Sequence, residues 1–201
     1  MIIHNVLNSV FSSPGNVKVL RVLSKDTVGM TGRQIAKLSG INHQAAHNIL
    51  SNLESLKIVK RTIAGRSHVF TLNRANFLCK KIILSVFDSE TEFGRSILAD
   101  IKSTLNKFCI SSILFGSAAR KDENPWSDLD LCVVYEGRKE LLEKKVTVLQ
   151  IKLNMAYGVT LAPFYITQTE FSKRAASNKP PVSNIVIEGI IISGKTIREL
   201  L

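Results

Sequence analysis

The run Leu114-Phe115-Gly116-Ser117-Ala118-Ala119-Arg120, followed by Ser127-Asp128-Leu129-Asp130-Leu131, decides the fold of the second half of this 201-residue chain. A Gly-Ser turn follows an apolar run, and two aspartates separated by one residue come soon after it. Residues i and i+2 of a strand point to the same face of a sheet. Asp128 and Asp130 can therefore aim two carboxylates at one point, which suits a divalent cation that carries nucleotide phosphates.

The residues of the turn suit phosphate binding. Gly116 lets the backbone turn sharply and approach a phosphate closely. Ser117 would begin a short helix, where its hydroxyl and the neighbouring N–H groups can receive a triphosphate. Arg120 could contact phosphate or brace the loop. We expect a nucleotide site formed by Gly116, Ser117, Arg120 and Ser127. The alternative is that the two acids only end a loop before a strand.

This pattern resembles the minimal nucleotidyltransferases of the DNA polymerase β-like superfamily over roughly residues 90–201, and the segment Ile187–Gly194 is similar to the closing segment of their small members. The resemblance implies an α/β domain with a mixed sheet. It implies that Asp128 and Asp130 are catalytic and hold Mg²⁺ or Mn²⁺. It also implies that the bound nucleotide is a nucleoside triphosphate, ATP first among them.

The sequence departs from this family at two places. The family pattern places a third carboxylate on the following strand, yet no Asp or Glu lies between Glu143 and Glu170, and Thr160 or Ala162 falls where the acid should be. Lys121 also stands where small members often carry glycine. A site with two carboxylates could bind Mg²⁺ and nucleotide but would be a poorer catalyst.

The charge of the chain is concentrated in its first part. Residues 1–80 hold 11 lysines and arginines against two acids, a net charge of +9, whereas residues 81–201 have a net charge of +2. A small basic module that is poor in acids is typical of nucleic-acid binding. A basic surface that only keeps the protein soluble is the alternative, so the pattern inside the module has to decide.

That pattern predicts two helices and a hairpin. Thr31 and Gln34 form a capping-box pattern before one helix, Gly40 ends it, and Asn42 can cap a second helix over 43–56. Two strand-like runs, 58–63 and 67–72, follow with a hairpin tip between them. This order resembles the winged helix-turn-helix family over roughly residues 14–75.

The resemblance implies double-stranded DNA as a partner, with the second helix in the major groove. The expected DNA contacts are Arg33, His43, Gln44, His47, Asn48, Lys60, Arg61 and Arg66, with Arg66 at the wing tip. His43 and His47 could instead bind a metal, but no third ligand lies close to them in the sequence.

We therefore expect an α+β chain with two domains, a winged helix-turn-helix domain with a connecting helix at 1–88 and a nucleotidyltransferase domain at 89–201. Helices are predicted near 74–87 and 91–107, and residues 88–91 are expected either to break the first helix or to begin the second. No apolar run is long enough for a membrane span, and no secretory signal begins the chain. Three widely spaced cysteines without a CxxC pair favour a cytoplasmic protein.

Two functional hypotheses remain open at this stage. The first is an enzyme that transfers a nucleoside monophosphate from Mg-NTP to an acceptor hydroxyl, coupled to DNA binding. The second is a DNA-binding transcriptional regulator or antitoxin-like protein whose nucleotidyltransferase domain is degenerate and serves as a nucleotide-binding or interaction module. A toxin-like partner protein or a homodimer would fit either. Fold-level analogy does not choose the acceptor.

Overall fold

The computed structural model describes residues 3–201 and divides the chain into two compact units, Met1–Thr91 and Glu92–Leu201. Each unit has its own buried apolar core. Among the described residues, no helix is both long enough and apolar enough to cross a membrane.

The first unit combines short helices with a small antiparallel sheet. Its elements are α1 (Val6–Val10), α2 (Pro14–Ser24), β1 (Met30–Thr31), α3 (Gly32–Ser39), α4 (His43–Ser55), β2 (Val59–Ala64) and β3 (Ser67–Leu72), followed by a π-helical turn (Cys79–Ile83). The strand order is β1-β3-β2. Strands β2 and β3 form a hairpin whose last pair is Ala64 with Ser67.

Local signals fix the two central helices of this unit. The predicted capping box before α3 is confirmed, because Thr31 Oγ1 accepts the Gln34 N–H and Gln34 Oε1 accepts the Thr31 N–H. Gly40 ends α3 with a φ of 62°, and Asn42 Oδ1 accepts the Ala45 N–H at the start of α4. Leu50 and Leu53 of α4 are buried in the core of the unit.

The second unit is a four-stranded mixed sheet with helices on both faces. Its elements are α5 (Leu84–Leu105, which begins in the first unit), β4 (Ser111–Leu114), α6 (Gly116–Arg120), β5 (Leu129–Tyr135), α7 (Lys139–Tyr157), β6 (Leu161–Thr167), α8 (Gln168–Ala176), α9 (Val182–Glu188), β7 (Ile190–Gly194) and α10 (Ile197–Leu200). The strand order is β6-β5-β4-β7, with β5 and β6 parallel and the other pairs antiparallel.

Alternation along β5 places the candidate site. Leu131 and Val133 pack into the core that α5 and α7 cover, whereas Cys132 and Val134 pack into the core that α8 and α9 cover. Asp130 has the parity of Cys132, so its side chain leaves the sheet on the face of α8 and α9. The C-terminal end of α9, at Glu188, lies near Asp130 at the start of β5.

Both alternatives for residues 88–91 are wrong, since α5 begins at Leu84 and runs through these residues. They include neither proline nor glycine. Thr91 Oγ1 donates to the Phe87 carbonyl at 2.9 Å, and Glu90 pairs with Arg21 at 2.6 Å within the first unit, so both side chains are compatible with the helix. The strand that the family pattern places after β5 begins at Leu161, so Ala162 lies inside it and Thr160 just before it.

Candidate functional site

Gly116 and Asp130 are in direct contact at the centre of the candidate site. Gly116 has a φ of +71°, a backbone conformation that residues other than glycine rarely adopt. A Cβ at this position would also overlap the carboxylate of Asp130. The glycine therefore serves two purposes. It permits the turn from β4 into α6, and it leaves the space that the Asp130 carboxylate fills.

The two predicted carboxylates lie close enough to influence one another. Asp128 immediately precedes β5 and is exposed, whereas Asp130 lies inside the strand and is partly buried. Burial raises the pKa of Asp130, and the negative charge of Asp128 raises it further. A bound cation would offset this repulsion, so the two carboxylates together suit a positively charged ligand.

A third carboxylate, Glu188 at the end of α9, joins this cluster and was missed by sequence reasoning. Its Oε1 accepts the Gly116 N–H at 3.1 Å and the Arg120 Nη1–H at 2.9 Å. Its charge is also among the causes that raise the pKa of Asp130. Glu188 lies in the segment Ile187–Gly194 that carries part of the family resemblance, but it is 72 residues from Gly116, so its contact with the turn had no local signal.

Arg120 forms ion pairs with two acidic side chains. Its guanidinium pairs with Asp122 at 3.1 Å and with Glu188 at 2.9 Å. Of the two roles considered for this residue, bracing the loop is the one these contacts supply. The bracing joins the Gly-Ser turn to the C-terminal segment of the chain.

The two serines of the motif have different surroundings. Ser117 lies in the first turn of α6 and is partly buried. Ser127 closes the loop before β5, where its hydroxyl accepts the Asn124 N–H at 3.0 Å and its own N–H donates to the Asn124 carbonyl at 2.9 Å. Ser127 and Asp128 also line a cavity of about 420 Å³.

Strand pairing shows which of the two positions expected for a third acid lies beside Asp130. Asp130 pairs with Ala162 across the parallel strands β5 and β6. Directly paired residues of neighbouring strands point to the same face of a sheet, so Ala162 rather than Thr160 stands beside Asp130. Ala162 carries no group that could bind a metal or accept a proton.

The chemistry of this donor set suits a magnesium-like ion. Carboxylate oxygens are the ligands that Mg²⁺ prefers, and such sites usually combine one or two carboxylates with substrate phosphates. Among residues 3–201, no group of three His, Cys, Asp or Glu side chains clusters as a metal site. The pair Asp128 and Asp130 therefore fits an ion that arrives with phosphates rather than a site built from protein ligands alone.

Basic side chains gather on the first unit between α4 and the hairpin. Arg33, His43, His47 and Arg61 line a cavity of about 420 Å³, together with His68 of β3, which sequence reasoning had not selected. Strand pairing explains His68, because it lies opposite Ile63 on the hairpin whose other strand carries Arg61. Arg61 also pairs with Glu54 at 3.2 Å.

The other predicted DNA contacts are exposed but lie outside this cavity. Gln44 and Asn48 lie one turn apart on α4, where Gln44 Nε2 donates to Asn48 Oδ1 at 3.1 Å. Lys60 and Arg61 are consecutive on β2 and therefore point to opposite faces. Arg66 lies at the tip of the hairpin.

Comparison with known proteins agrees with the geometry of the second unit. Residues 95–192 match the family model of the nucleotidyltransferase domain. This match confirms the nucleotidyltransferase domain that the Gly-Ser and Asp-x-Asp pattern predicted. It lies wholly within the second unit and does not include the first.

Three solved structures show weak similarity to the chain. One is a crystal structure of a toxin-antitoxin with AMP-PNP, at 17% identity and a TM-score of 0.35, covering 53% of this chain and 76% of that one. The others are two mutant forms of ZitR from Lactococcus lactis, at 15% and 14% identity and TM-scores of 0.33; they cover 70% and 74% of this chain, and 74% and 86% of their own. No curated protein matches the chain.

Proposed function

We propose that the second unit binds a nucleoside triphosphate, with ATP as the expected ligand, together with Mg²⁺ or Mn²⁺, and transfers its nucleoside monophosphate to an acceptor hydroxyl. The observation that carries this proposal is the contact between Gly116 and Asp130, with Asp128 beside it, inside a nucleotidyltransferase domain. A turn without a side chain and two aligned carboxylates together suit a phosphate chain carrying a cation.

In the proposed reaction, the acceptor oxygen forms a bond to the α-phosphorus as the bond to the bridging α–β oxygen breaks. Pyrophosphate leaves, and the proton of the acceptor hydroxyl passes to solvent water. Asp128 and Asp130 would hold the ion, which supplies positive charge to the phosphates in such reactions. Gly116 and Ser117 would receive phosphate oxygens, and Ser127 would keep the preceding loop closed beside Asp128.

We propose in addition that the first unit is a winged helix-turn-helix module that binds double-stranded DNA. Its support is the net charge of +9 over residues 1–80 and the gathering of Arg33, Arg61 and exposed histidines beside α4. Basic side chains would contact phosphates, while Gln44 and Asn48 carry the amides that pair with adenine edges. A homodimer on a symmetric site would fit this geometry.

A second candidate function is favoured by Ala162. With no acid beside Asp130 on β6, the attacking hydroxyl has no carboxylate at that position to accept its proton. The second unit would then bind nucleotide without transferring it, and the protein would act as a DNA-binding regulator or as the antitoxin-like partner of another protein.

One experiment separates the two candidates. The full chain is incubated with Mg²⁺ or Mn²⁺ and ATP labelled at the α-phosphate, in the presence of RNA, duplex DNA or a candidate partner protein. Transfer of label that disappears in Asp130→Ala and persists in Glu136→Ala, an exposed acid just beyond β5, supports the enzyme. Metal-dependent ATP binding without transfer supports the regulator.

The variant Ala162→Asp sharpens this test. It adds a carboxylate beside Asp130 on the neighbouring strand. If the wild type binds ATP but transfers nothing, a gain of transfer in Ala162→Asp would show that only the third acid is missing. If the wild type transfers label, the second candidate is excluded.

A further inference from the structure

A cavity next to Asp128 is not explained by the phosphate chemistry. It measures about 420 Å³, and its wall combines one face of α5 with the loops that precede β5 and β6. Phe93, Gly94 and Leu98 come from α5, Asn124 and Asp128 come from the loop before β5, and Val159 follows α7. The volume lies within the range of about 300–1,000 Å³ that is usual for small-molecule sites.

The cavity begins where the proposed ion site lies. Asp128 belongs both to its wall and to the carboxylate pair with Asp130. A nucleotide whose phosphates are held at this pair can therefore reach the cavity with its base. Apart from Asp128, the only charged side chain in the wall is Glu123, so the site does not suit a highly charged ligand.

Phe93 provides an aromatic surface in the wall. Its side chain is 49% exposed, which is high for a phenylalanine. Tyr157 supports it edge-on, with ring centroids 5.7 Å apart and planes at 84°, and the Tyr157 hydroxyl is itself anchored by donating to Asp100 at 3.0 Å. An aromatic ring held in this way is the kind of platform on which nucleic-acid bases stack.

Gly94 and Asn124 complete the site. Gly94 is a helical residue whose missing side chain leaves space, since a Cβ built there meets no atom within 4 Å. Asn124 Oδ1 accepts the Trp126 N–H at 2.9 Å, and its NH₂ group can donate to the edge of a base. Apolar walls with one or two oriented polar groups are typical of sites that select an aromatic ligand.

We propose that this cavity receives the base of the nucleoside triphosphate, with Phe93 stacking on the base and Gly94 keeping the wall open. This inference rests on the proposed function, because the phosphates of the same ligand are held at Asp128 and Asp130. It assigns the specificity for the nucleotide to α5, the helix that precedes the sheet, rather than to the Gly-Ser turn.

The test compares ATP with inorganic triphosphate, both with Mg²⁺, by isothermal titration calorimetry on the full chain. The variant Gly94→Leu adds a side chain at the cavity wall, where a Cβ meets no atom within 4 Å, and leucine has a higher helix propensity than glycine, so the fold should be kept. Ala99→Leu is the matched control, because it is an exposed position of the same helix outside the cavity. Phe93→Leu removes the aromatic surface but keeps an apolar side chain.

We expect Gly94→Leu and Phe93→Leu each to weaken ATP binding by about tenfold, the effect of losing one stacked base. Both should leave triphosphate binding within about twofold of the wild type, as should Ala99→Leu for both ligands. If the wild type binds both ATP and triphosphate, and Gly94→Leu and Phe93→Leu bind ATP with the affinity of the wild type, then the base site alone is overturned. If the wild type binds neither ATP nor inorganic triphosphate, the proposed function is overturned, and the base site with it.

Discussion

Among single residues, Asp130 carries an ionised carboxylate that costs stability, which fits the ligand-binding role proposed for it. Burial and the charge of Asp128 raise its pKa, the charge of Arg120 lowers it, and Glu188 adds to the rise. A carboxyl whose pKa is higher in the folded than in the unfolded protein favours folding while it is protonated, and this contribution is lost as the pH rises through the folded pKa. The ionised carboxylate is therefore destabilising at neutral pH.

We expect Asp130→Asn to raise the melting temperature at pH 7 because it removes this repulsion. A rise of about 2–4 °C corresponds to 1 kcal/mol in a protein of this size. The difference should shrink as the pH falls below the ordinary aspartate pKa of about 3.9, where Asp130 is protonated in both states. Thermal denaturation of both proteins across pH measures this, and a variant less stable at pH 7 would show that the carboxylate is fully compensated by Arg120.

Glu188 is the residue that ties the Gly-Ser turn to α9. Glu188→Ala should destabilise the protein by about 1–2 kcal/mol, since it leaves the Gly116 N–H without its acceptor and removes one of the two carboxylates that pair with Arg120. Glu188→Gln should lose less, because an amide oxygen can still accept the Gly116 N–H. Urea denaturation measures both, with Glu136→Ala as the control. Equal losses in the two Glu188 variants would contradict this bracing role.

At the scale of elements, Lys121 ends α6 in an unfavourable conformation. It is the C-cap residue and has a φ of 63°, in the left-handed region that glycine adopts without a steric penalty. This position is the one where small members of the family often carry glycine, so the sequence departure has a structural consequence. The helix it ends is only five residues long and carries Ser117 and Arg120.

Lys121→Gly should therefore stabilise the protein by about 0.5–1 kcal/mol, the usual gain when a residue matches the backbone it must adopt. Urea denaturation of the variant gives the value. Lys121→Ala is the control that removes the same charged side chain without relieving the left-handed backbone. A gain of the same size in Lys121→Ala would assign the effect to charge instead.

At the scale of the whole molecule, the signals that predicted the fold were local and the missed features were distant in sequence. Thr31 and Gln34 are three residues apart, and Asp128 and Asp130 are two apart, so capping and strand parity were sufficient to place them. Glu188 and the cavity wall depend on the strand order β6-β5-β4-β7, which no short segment encodes. The break expected at 88–91 failed because polar residues were read as a boundary, although their side chains bond within the helix and to Arg21.

The uneven charge of the chain leads to a prediction about DNA. The full chain should bind duplex DNA with an affinity that falls steeply as salt is raised, since each phosphate contact releases a counterion. Arg33→Ala should reduce the slope of log K against log salt by about one, whereas Lys18→Ala, an exposed position on α2 outside the basic cavity, should not. Fluorescence anisotropy at several salt concentrations measures the slopes. No binding at low salt would contradict the proposed DNA contacts.

The central claim is that Asp128 and Asp130 hold a divalent cation together with a nucleoside triphosphate. Isothermal titration calorimetry of ATP into the full chain, with Mg²⁺ and with EDTA, tests it most directly. We expect binding that requires Mg²⁺, that is lost in Asp128→Ala and Asp130→Ala, and that persists in Glu136→Ala. Equal binding of ATP with Mg²⁺ and with EDTA, or full affinity in Asp130→Ala, would contradict the claim.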